Sequence, residues 1–256
     1  MQNTKDDFKT PLHPTPHKEL APNERPEFKW IVLGSSILSL CAGFVNVVSM
    51  LSTFSFTVSH NTGTTSRLGI YLARMELPSA GFNFAVLLAY VLGSMSVGGF
   101  IKREKFHYSR VYGFFLIIES LLLVLTTYLY SEKDRKGVVV ASFAMGLQNA
   151  LFTNFSGAVV RTTHVSGLLT DIGIHFGHLI RWRERAKEFW RVYVLLPLLF
   201  GFIIGGVLAT WCFELFHVNA FYVPALVLGS AGVIWTLWRL VYQKTHNNRE
   251  YAERYH

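Results

Sequence analysis

The chain carries one short motif twice, as Ser59-His60-Asn61-Thr62-Gly63 and as Thr163-His164-Val165-Ser166-Gly167. Each copy follows a Gly-x-x-Asn run, Gly43-Phe44-Val45-Asn46 before the first and Gly146-Leu147-Gln148-Asn149 before the second. The chain is therefore a tandem duplication. Internal symmetry with interrupted apolar segments points to the binding site of a transporter, so the repeat locates a functional centre without naming a ligand.

The match extends beyond the motif. The same number of residues after each His stands a charged residue, Arg67 in the first copy and Asp171 in the second, and Gly-Ile follows it. In the next apolar run the glycines align, Gly93 with Gly201 and Gly98-Gly99 with Gly205-Gly206.

Long apolar runs surround the two copies. Hydrophobic residues make up 51% of the chain, and the charged residues lie in short blocks between the runs. Six runs are long enough to cross a hydrocarbon core of about 30 Å at about 1.5 Å per residue. They are 30–51, 81–101, 111–130, 138–156, 192–213 and 219–238. This pattern predicts an all-α membrane protein. The net charge of +8 follows from basic residues beside the spans rather than from nucleic-acid binding.

Two further segments, 60–75 and 163–180, coincide with the repeat. Each begins with small polar residues that cap helices, is too short and polar to be an ordinary span, and follows a stretch that is expected to be extended. Irregular backbone at membrane depth is tolerated only where protein or a water-filled cavity surrounds it. We therefore expect two re-entrant half-helices inside the bundle.

The charges of equivalent connections decide the symmetry. The connections 102–110 and 181–191 are rich in Lys and Arg, whereas their counterparts 214–218 and 76–80 have none. Because basic connections stay in the cytoplasm, this contrast predicts inverted copies, with both termini on the cytoplasmic side of an inner or plasma membrane. The connection 131–137 disagrees, since it would be external yet contains three basic residues.

The domain organisation follows from these runs. Residues 1–28 are rich in proline and charge and are predicted to be a disordered cytosolic tail. A single membrane domain follows at 29–241, with one repeat at about 30–130 and the other at about 138–240. Residues 242–256 form a second cytosolic tail.

The same residues resemble a known family. The run Ala144-Met145-Gly146-Leu147-Gln148-Asn149-Ala150, the two His-containing motifs and Arg67-Leu68-Gly69 are similar to the YoaK-like membrane proteins, a domain-of-unknown-function family. The resemblance covers roughly residues 30–240. It implies an integral membrane protein of about six spans and implies no activity.

Glu119 is an acidic residue well inside an uninterrupted apolar run. An ionisable group at that depth costs about 2.5 to 3.5 kcal/mol on insertion scales, so it is a functional candidate by default. One hypothesis is a carboxyl that exchanges a proton with a cavity. The alternative is a buried hydrogen-bonding group that fixes helix packing.

The remaining candidates for substrate binding or gating all lie in the repeat. Arg67 and Asp171 are interpreted either as a structural ion pair or as a gate. His60 and His164 are candidate proton carriers, or else helix-capping or hydrogen-bonded structural histidines. The small residues Gly63 and Gly167 allow close approach at two helix N-termini, which suit an anion. Asn46 and Asn149 offer amides to a cavity or to another helix.

Cofactor and metal sites are not predicted. The chain has no phosphate loop, and Asp171, His175 and His178 share a helix face but lack counterparts at Arg67 and Tyr71. Cys41 and Cys212 lie in apolar runs and are interpreted as core residues.

Two kinds of partner are predicted beside a small solute. A basic block is expected to anchor the chain to anionic lipid through Arg181, Arg183, Arg185, Lys187 and Arg191. The Gly-rich helix faces favour close packing within the chain and leave a homo-oligomer open.

The leading functional hypothesis is a secondary transporter or exporter of a small solute, with an anion as one option and a proton as the candidate coupling ion. The first alternative is a membrane-embedded enzyme that uses His60, His164, Asp171 and Glu119. The second is a scaffold or sensor that transports nothing. An enzyme needs its histidines for turnover, whereas a scaffold tolerates their loss.

Overall fold

The computed structural model describes residues 28–101, 111–155, 163–182 and 189–254, and the regular structure within these ranges is entirely helical. The helices are α1 (Phe28–Leu51), α2 (Asn61–Ala73), α3 (Leu77–Phe100), α4 (Val111–Ser131), α5 (Lys136–Phe155), α6 (Val165–Arg181), α7 (Val192–Phe216) and α8 (Tyr222–Arg254). A short 3-10 helix, His217–Phe221, joins α7 to α8. The predicted all-α class is confirmed.

Four apolar stretches are long enough to span a membrane. They are Val32–Leu51, Leu77–Phe100, Val111–Ser131 and the continuous stretch Phe189–Val241, which contains α7 and the first part of α8. These lengths indicate a membrane protein. The expected span at 138–156 does form a helix, but α5 is not among the four that the described residues show.

The two segments marked by the repeat form short helices, as predicted. Residues 52–60 before α2 are not helical, and the corresponding residues 156–162 lie outside the described ranges. A tight turn at Met75, with the positive φ of 57°, leads from α2 directly into α3. The C-terminal helix is longer than expected, because α8 continues to Arg254 instead of ending near 238. The predicted tail at 1–27 lies outside the described residues.

The two copies exchange partners. The first helix of one copy packs on the third helix of the other: α1 packs mainly on α7 and α5 mainly on α3, while α4 packs on α8. Hydrogen bonds repeat the exchange. The hydroxyl of Ser39 donates to the carbonyl of Leu198 at 2.8 Å, and that of Ser142 donates to the carbonyl of Val86 at 3.0 Å. Ser39 and Ser142 precede Asn46 and Asn149 by the same number of residues.

Glycines allow these pairs to approach closely. A Cβ atom on Gly43 would collide with the carbonyl of Phe202, and one on its counterpart Gly146 would collide with the carbonyl of Tyr90. Because the colliding atoms belong to backbone, no side-chain movement would relieve them. Helix packing through small residues of this kind is common in membranes.

The structure corrects one part of the sequence alignment. Gly93 faces the carbonyl of Phe143, and Gly205 faces the carbonyl of Leu40, so Gly93 corresponds to Gly205 and not to Gly201. The sequence match was wrong by one helical turn, since the Gly-rich run of α7 offers more than one register.

The Gly-rich faces differ in what they contact. Gly201 and Gly205 pack against α1 within the chain, whereas Gly98 and Gly99 have open space where a side chain would be. An oligomer through the Gly-rich faces stays a prediction, and it now concerns Gly98 and Gly99.

Aromatic residues close the end of the bundle at which α1 and α4 end and α8 begins. The hydroxyl groups of Ser49 and Tyr130 hydrogen-bond at 2.6 Å. The Tyr130 ring meets the rings of Phe54 and Phe221 edge to face, with centroids 5.1 Å and 5.2 Å apart. We call these three rings, Phe54, Tyr130 and Phe221, the end cluster.

Two arginines extend the packing at this end. The guanidinium of Arg135 lies 4.1 Å from the centroid of the Phe82 ring, and Phe82 meets Phe56 edge to face at 5.7 Å. The guanidinium of Arg67 lies 5.2 Å from the centroid of Phe56. Since cation–π contacts contribute about 0.5 to 2 kcal/mol each, this arginine–aromatic stack fastens α2 and the stretch before it to α3.

Candidate functional site

Each motif is fixed to the helix that precedes it by an asparagine. The Oδ1 atom of Asn46 accepts hydrogen bonds from the backbone N–H of Ser59 at 3.3 Å and from its hydroxyl at 3.1 Å. In the second copy, the Oδ1 atom of Asn149 accepts from the backbone N–H of Thr163 at 3.3 Å, and its amide nitrogen donates to the hydroxyl of Thr163. The asparagines therefore position the residues that precede α2 and α6.

The two histidines have nearly the same conformation. His60 has φ −92° and ψ 69°, and His164 has φ −90° and ψ 63°, and each stands immediately before a half-helix. Neither side chain caps its helix, so the interpretation of these histidines as caps is wrong. Each imidazole Nδ1 instead occupies the space that a Cβ atom would need on Gly63 or on Gly167. The glycines make room for the rings.

Unpaired backbone donors remain at both helix starts. The first helical hydrogen bonds run from the N–H of Thr64 and of Leu168 to the carbonyls of His60 and His164, at 3.2 Å and 3.0 Å. The N–H groups of 61–63 and 165–167 have no hydrogen-bond partner within the described residues. Such groups give a helix N-terminus a partial positive charge of about half a unit.

Both helix starts line one cavity of about 920 Å³. Its polar wall contains equivalent residues from the two copies, namely Asn46 with Asn149, Ser59 with Thr163, and His60 with His164. Its apolar wall comes from α3 and α7 and includes Tyr90, Leu199, Phe202 and Ile203. No Asp, Glu, Lys or Arg is among the described residues that line it.

One buried donor is available to this cavity. Asn46 is only 7% exposed and lines the cavity, and its hydrogen bonds within the described residues all use Oδ1. Its amide nitrogen is therefore left without a protein partner. The counterpart Asn149 differs, since its amide nitrogen donates to the Met145 carbonyl at 3.1 Å as well as to Thr163.

Arg67 and Asp171 do not meet. Both are exposed, neither lines the cavity, and no ion pair joins them within the described part of the chain. Arg67 contacts Phe56 instead. Both motif histidines line the cavity, whereas Arg67 and Asp171 stand about two turns further along α2 and α6 and lie outside its lining.

Glu119 lies in the closed core of the bundle. Its side chain is 0% exposed, and neither carboxylate oxygen has a hydrogen-bond partner within the described residues. It does not line the cavity. A buried carboxylate without a partner is costly, and a proton on it removes the charge. Cys41 is buried in the same core, as predicted, and Cys212 is partly buried.

The structure does not bring the four residues of the enzyme hypothesis together, because the cavity contains His60 and His164 but neither Asp171 nor Glu119. The rings of His175 and His178 lie 6.4 Å apart between centroids. Within the described ranges, no three His, Cys, Asp or Glu side chains are grouped closely enough to hold a metal ion.

The basic block is described only at its ends. The guanidinium of Arg181 lies 5.0 Å from the centroid of the Trp182 ring, and that of Arg191 lies 5.8 Å from the centroid of Trp190. The predicted lipid-binding residues Arg183, Arg185 and Lys187 fall outside the described residues.

Sequence reasoning missed the far wall of the cavity. Tyr90 and Phe202 line it and are structural counterparts, since their carbonyls face Gly146 and Gly43. They stand at equal distances before Gly93 and Gly205, so the corrected glycine register would have paired them. Thr153 and Asn154 also line the cavity and follow Asn149 by about one turn of α5.

Comparison with known proteins identifies the family of the chain. Residues 35–234 match the model of a family described as protein of unknown function (DUF1275), and the chain belongs to that family. The resemblance to the YoaK-like membrane proteins is consistent with this assignment. No curated protein and no solved structure is similar enough to the chain to match it.

Proposed function

We propose that the chain is an inverted repeat of six spans and two re-entrant half-helices, and that it works as a secondary transporter or exporter. Helix direction supports the inversion. The end of α1 lies beside the end of α4, because Ser49 bonds to Tyr130, and α5 begins only a few residues after α4 ends. The equivalent helices α1 and α5 therefore run in opposite directions.

The contacts of residues 52–60 support re-entry. This stretch begins at the end cluster with Phe54 and reaches Ser59, which bonds to Asn46 well inside α1. The chain then returns through α2 to the same end, since Arg67 joins the arginine–aromatic stack with Arg135. The first half-helix thus enters and leaves at one end of the bundle.

The meeting of two equivalent half-helix starts at one cavity is the observation that carries the transport proposal. Carriers built from inverted repeats place substrate sites where broken helices from both repeats meet, with the helix N-termini directed at the solute. Here the first turns of α2 and α6 both line the cavity.

The packing is closed on one side of this cavity. The end cluster and the arginine–aromatic stack fill the end where α1 and α4 finish. The cavity instead takes its lining from the later parts of α3 and α5 and the earlier part of α7. A carrier with alternating access must have one such closed end, and it must open that end later in its cycle.

Two further elements belong to the proposal. Glu119 is the candidate for proton coupling, because its buried carboxyl gains or loses a full charge without a partner to compensate it. The cytoplasmic basic block holds anionic lipid, and this placement sets both termini in the cytoplasm.

Solute efflux tests the transport proposal. Proteoliposomes loaded with a defined mixture of small organic and inorganic anions are diluted, and the released solutes are identified by mass spectrometry. We expect the protein to release a subset that empty liposomes retain. Ser166→Trp, at an exposed residue lining the cavity, should stop this release, whereas Thr170→Trp, one turn further along α6 and outside the lining, should not.

Two results would count against transport. If nothing leaves the proteoliposomes that contain protein, with or without a pH gradient, the protein is not a carrier of these solutes. If Ser166→Trp releases solute as fast as Thr170→Trp, the cavity is not on the pathway.

A further inference from the structure

The walls of the cavity indicate the chemical class of the solute, an inference that rests on the proposed function for its site. We propose that the cavity binds an organic carboxylate with an apolar body. The carboxylate would lie against the half-helix starts and the Asn46 amide, and the body against Tyr90, Phe202 and Ile203.

Several hydrogen-bond donors at the cavity have no acceptor within the described residues. The first-turn N–H groups of α2 and α6 have no partner within the described residues, and both helices have at least 13 residues. The Asn46 amide nitrogen is a separate donor from a 93% buried side chain, the complement of its 7% exposure. Since a helix N-terminus and a buried amide both favour an anionic acceptor, these groups together describe an anion site.

The described lining residues indicate the charge of that anion. Among the described lining residues there is no Lys or Arg, and two are histidines. Helix N-termini bind phosphate as well as carboxylate, but phosphate sites commonly add Arg or Lys to balance about two negative charges. A carboxylate, with a single delocalised charge, fits N–H groups and an amide better than a phosphate does.

The size and the opposite wall require more than a carboxylate. Pockets for drug-sized molecules are about 300 to 1,000 Å³, and this cavity of about 920 Å³ lies near the upper limit. Acetate or chloride would leave it mostly empty. The apolar side chains of Leu199, Phe202 and Ile203 would then face water, whereas an aliphatic or aromatic body would cover them.

Equilibrium binding tests this inference without any transport. The full-length protein in nanodiscs is titrated with acetate, butyrate, benzoate and 3-phenylpropionate and followed by saturation-transfer NMR, with empty nanodiscs as a correction for lipid partitioning. Inorganic phosphate and 3-phenylpropanamide, the uncharged analogue, are the comparison ligands. We expect binding to strengthen from acetate to 3-phenylpropionate, and the amide and phosphate to bind at least about tenfold more weakly than 3-phenylpropionate.

Matched variants identify the anion site. Thr62→Asp and Ser166→Asp put a carboxylate in the first turn of α2 and of α6, at exposed residues that line the cavity. An acid there is favourable for the helix, so these variants should fold, yet each should weaken 3-phenylpropionate binding about tenfold or more. Ser66→Asp and Thr170→Asp lie one turn further along, outside the lining, and should bind like the unmodified protein.

The outcomes separate this inference from the transport proposal. Failure of all four carboxylates to bind, equal binding of 3-phenylpropanamide, or tighter binding of phosphate would overturn the inference even if the protein releases other solutes. Equal effects of all four Asp variants would also overturn it. Binding of 3-phenylpropionate without release of any solute from proteoliposomes would support the carboxylate site and contradict the proposal that the protein is a transporter.

Discussion

The side chain of Asn46 accepts both the backbone N–H and the hydroxyl of Ser59, at 3.3 Å and 3.1 Å. One amide oxygen on α1 thereby fixes the residue immediately before His60. The same relationship between Asn149 and Thr163 holds the second motif. The position of each imidazole in the cavity therefore depends on an asparagine in the preceding helix.

The first prediction concerns this support. Asn46→Ala should lower the free energy of unfolding by about 1 to 3 kcal/mol, because it leaves the buried Ser59 N–H and hydroxyl without an acceptor. Thermal unfolding in nanodiscs measures the loss. Asn154→Ala is the control. Asn154 also lines the cavity, but its side chain donates only to the carbonyl of Ala150, one turn earlier in the same helix. The melting temperature of this variant should therefore change less than that of Asn46→Ala. Equal changes would show that Asn46 is not a support.

A second prediction concerns the room that glycine leaves for the imidazole. Gly63→Ala should stabilise less than Gly69→Ala in the unmodified chain, because its Cβ would displace the His60 ring, and this difference should disappear when Gly63→Ala is combined with His60→Ala. Gly69→Ala lies later in the same helix with open space around it and should stabilise by about 0.5 to 1 kcal/mol.

A double-mutant cycle of melting temperatures for Gly63→Ala and His60→Ala supplies the measurement. Simple additivity of the two substitutions would mean that the ring does not lie over the glycine. The same cycle with Gly167 and His164 should give a similar coupling, because both imidazoles occupy the equivalent space.

The third prediction compares the closest helix contacts. Gly43→Ala and Gly146→Ala should each cost about 1 to 3 kcal/mol or more, since both push a Cβ into a backbone carbonyl that has no freedom to rotate away. Gly34→Ala and Gly81→Ala, with nothing near their Cβ positions, serve as controls and should be tolerated. A large loss at one of Gly43 and Gly146 with none at the other would contradict the equivalence of the two contacts.

The fourth prediction concerns proton coupling. Glu119→Gln imitates a protonated carboxyl, so it should preserve folding and solute exchange while abolishing accumulation driven by a pH gradient. Counterflow and gradient-driven uptake in the same proteoliposomes separate the two activities. Glu132→Gln, at an exposed residue beyond the end of α4, is the matched control and should keep both. His60→Gln and His164→Gln are measured beside it.

Accumulation that survives in Glu119→Gln and in both histidine variants would exclude proton coupling through these residues. A facilitator would then be the better description.

The fifth prediction concerns topology. In a background without Cys41 and Cys212, the substitutions Lys105→Cys, Arg185→Cys and His246→Cys should react with an impermeant maleimide only from the cytoplasmic side, and Phe216→Cys only from outside. The reason is that equivalent connections carry unequal basic charge. Labelling of position 105 from outside would favour parallel copies instead of inverted ones.

The sequence predicted that the segments after the two histidine motifs form short helices, α2 and α6, and the structure confirms this because the signals for a short helix are local. The amino-acid sequence shows the features of these segments directly. They begin with polar residues and without proline, they have glycine at a fixed spacing, and their apolar run is short. The pairing of Arg67 with Asp171 depended instead on distance in space. Equivalent positions in a sequence repeat need not lie close together in space, and these two residues stand about two turns beyond the residues of α2 and α6 that line the cavity.

The register of Gly93 was missed for a related reason. Gly201 and Gly205 are one turn apart, and either one satisfies a pattern of letters. The backbone contacts distinguish the two registers. Gly93 faces the carbonyl of Phe143, and Gly205 faces the carbonyl of Leu40. Because that register was not recognised, the sequence did not predict that Tyr90 and Phe202 are equivalent residues of the cavity lining.

The exchange of helices between the copies has a consequence for biosynthesis. The hydroxyl of Ser39 bonds to a carbonyl that is 159 residues later in the chain. The ribosome delivers the chain in order, so α1 enters the bilayer before α7 has been made. During that time the surface of α1 around Gly43 lacks the helix on which it packs. In each half, the first helix has its main packing partner in the other half. A gene cut between α4 and α5 should therefore give a folded product only when both fragments are made in the same cell.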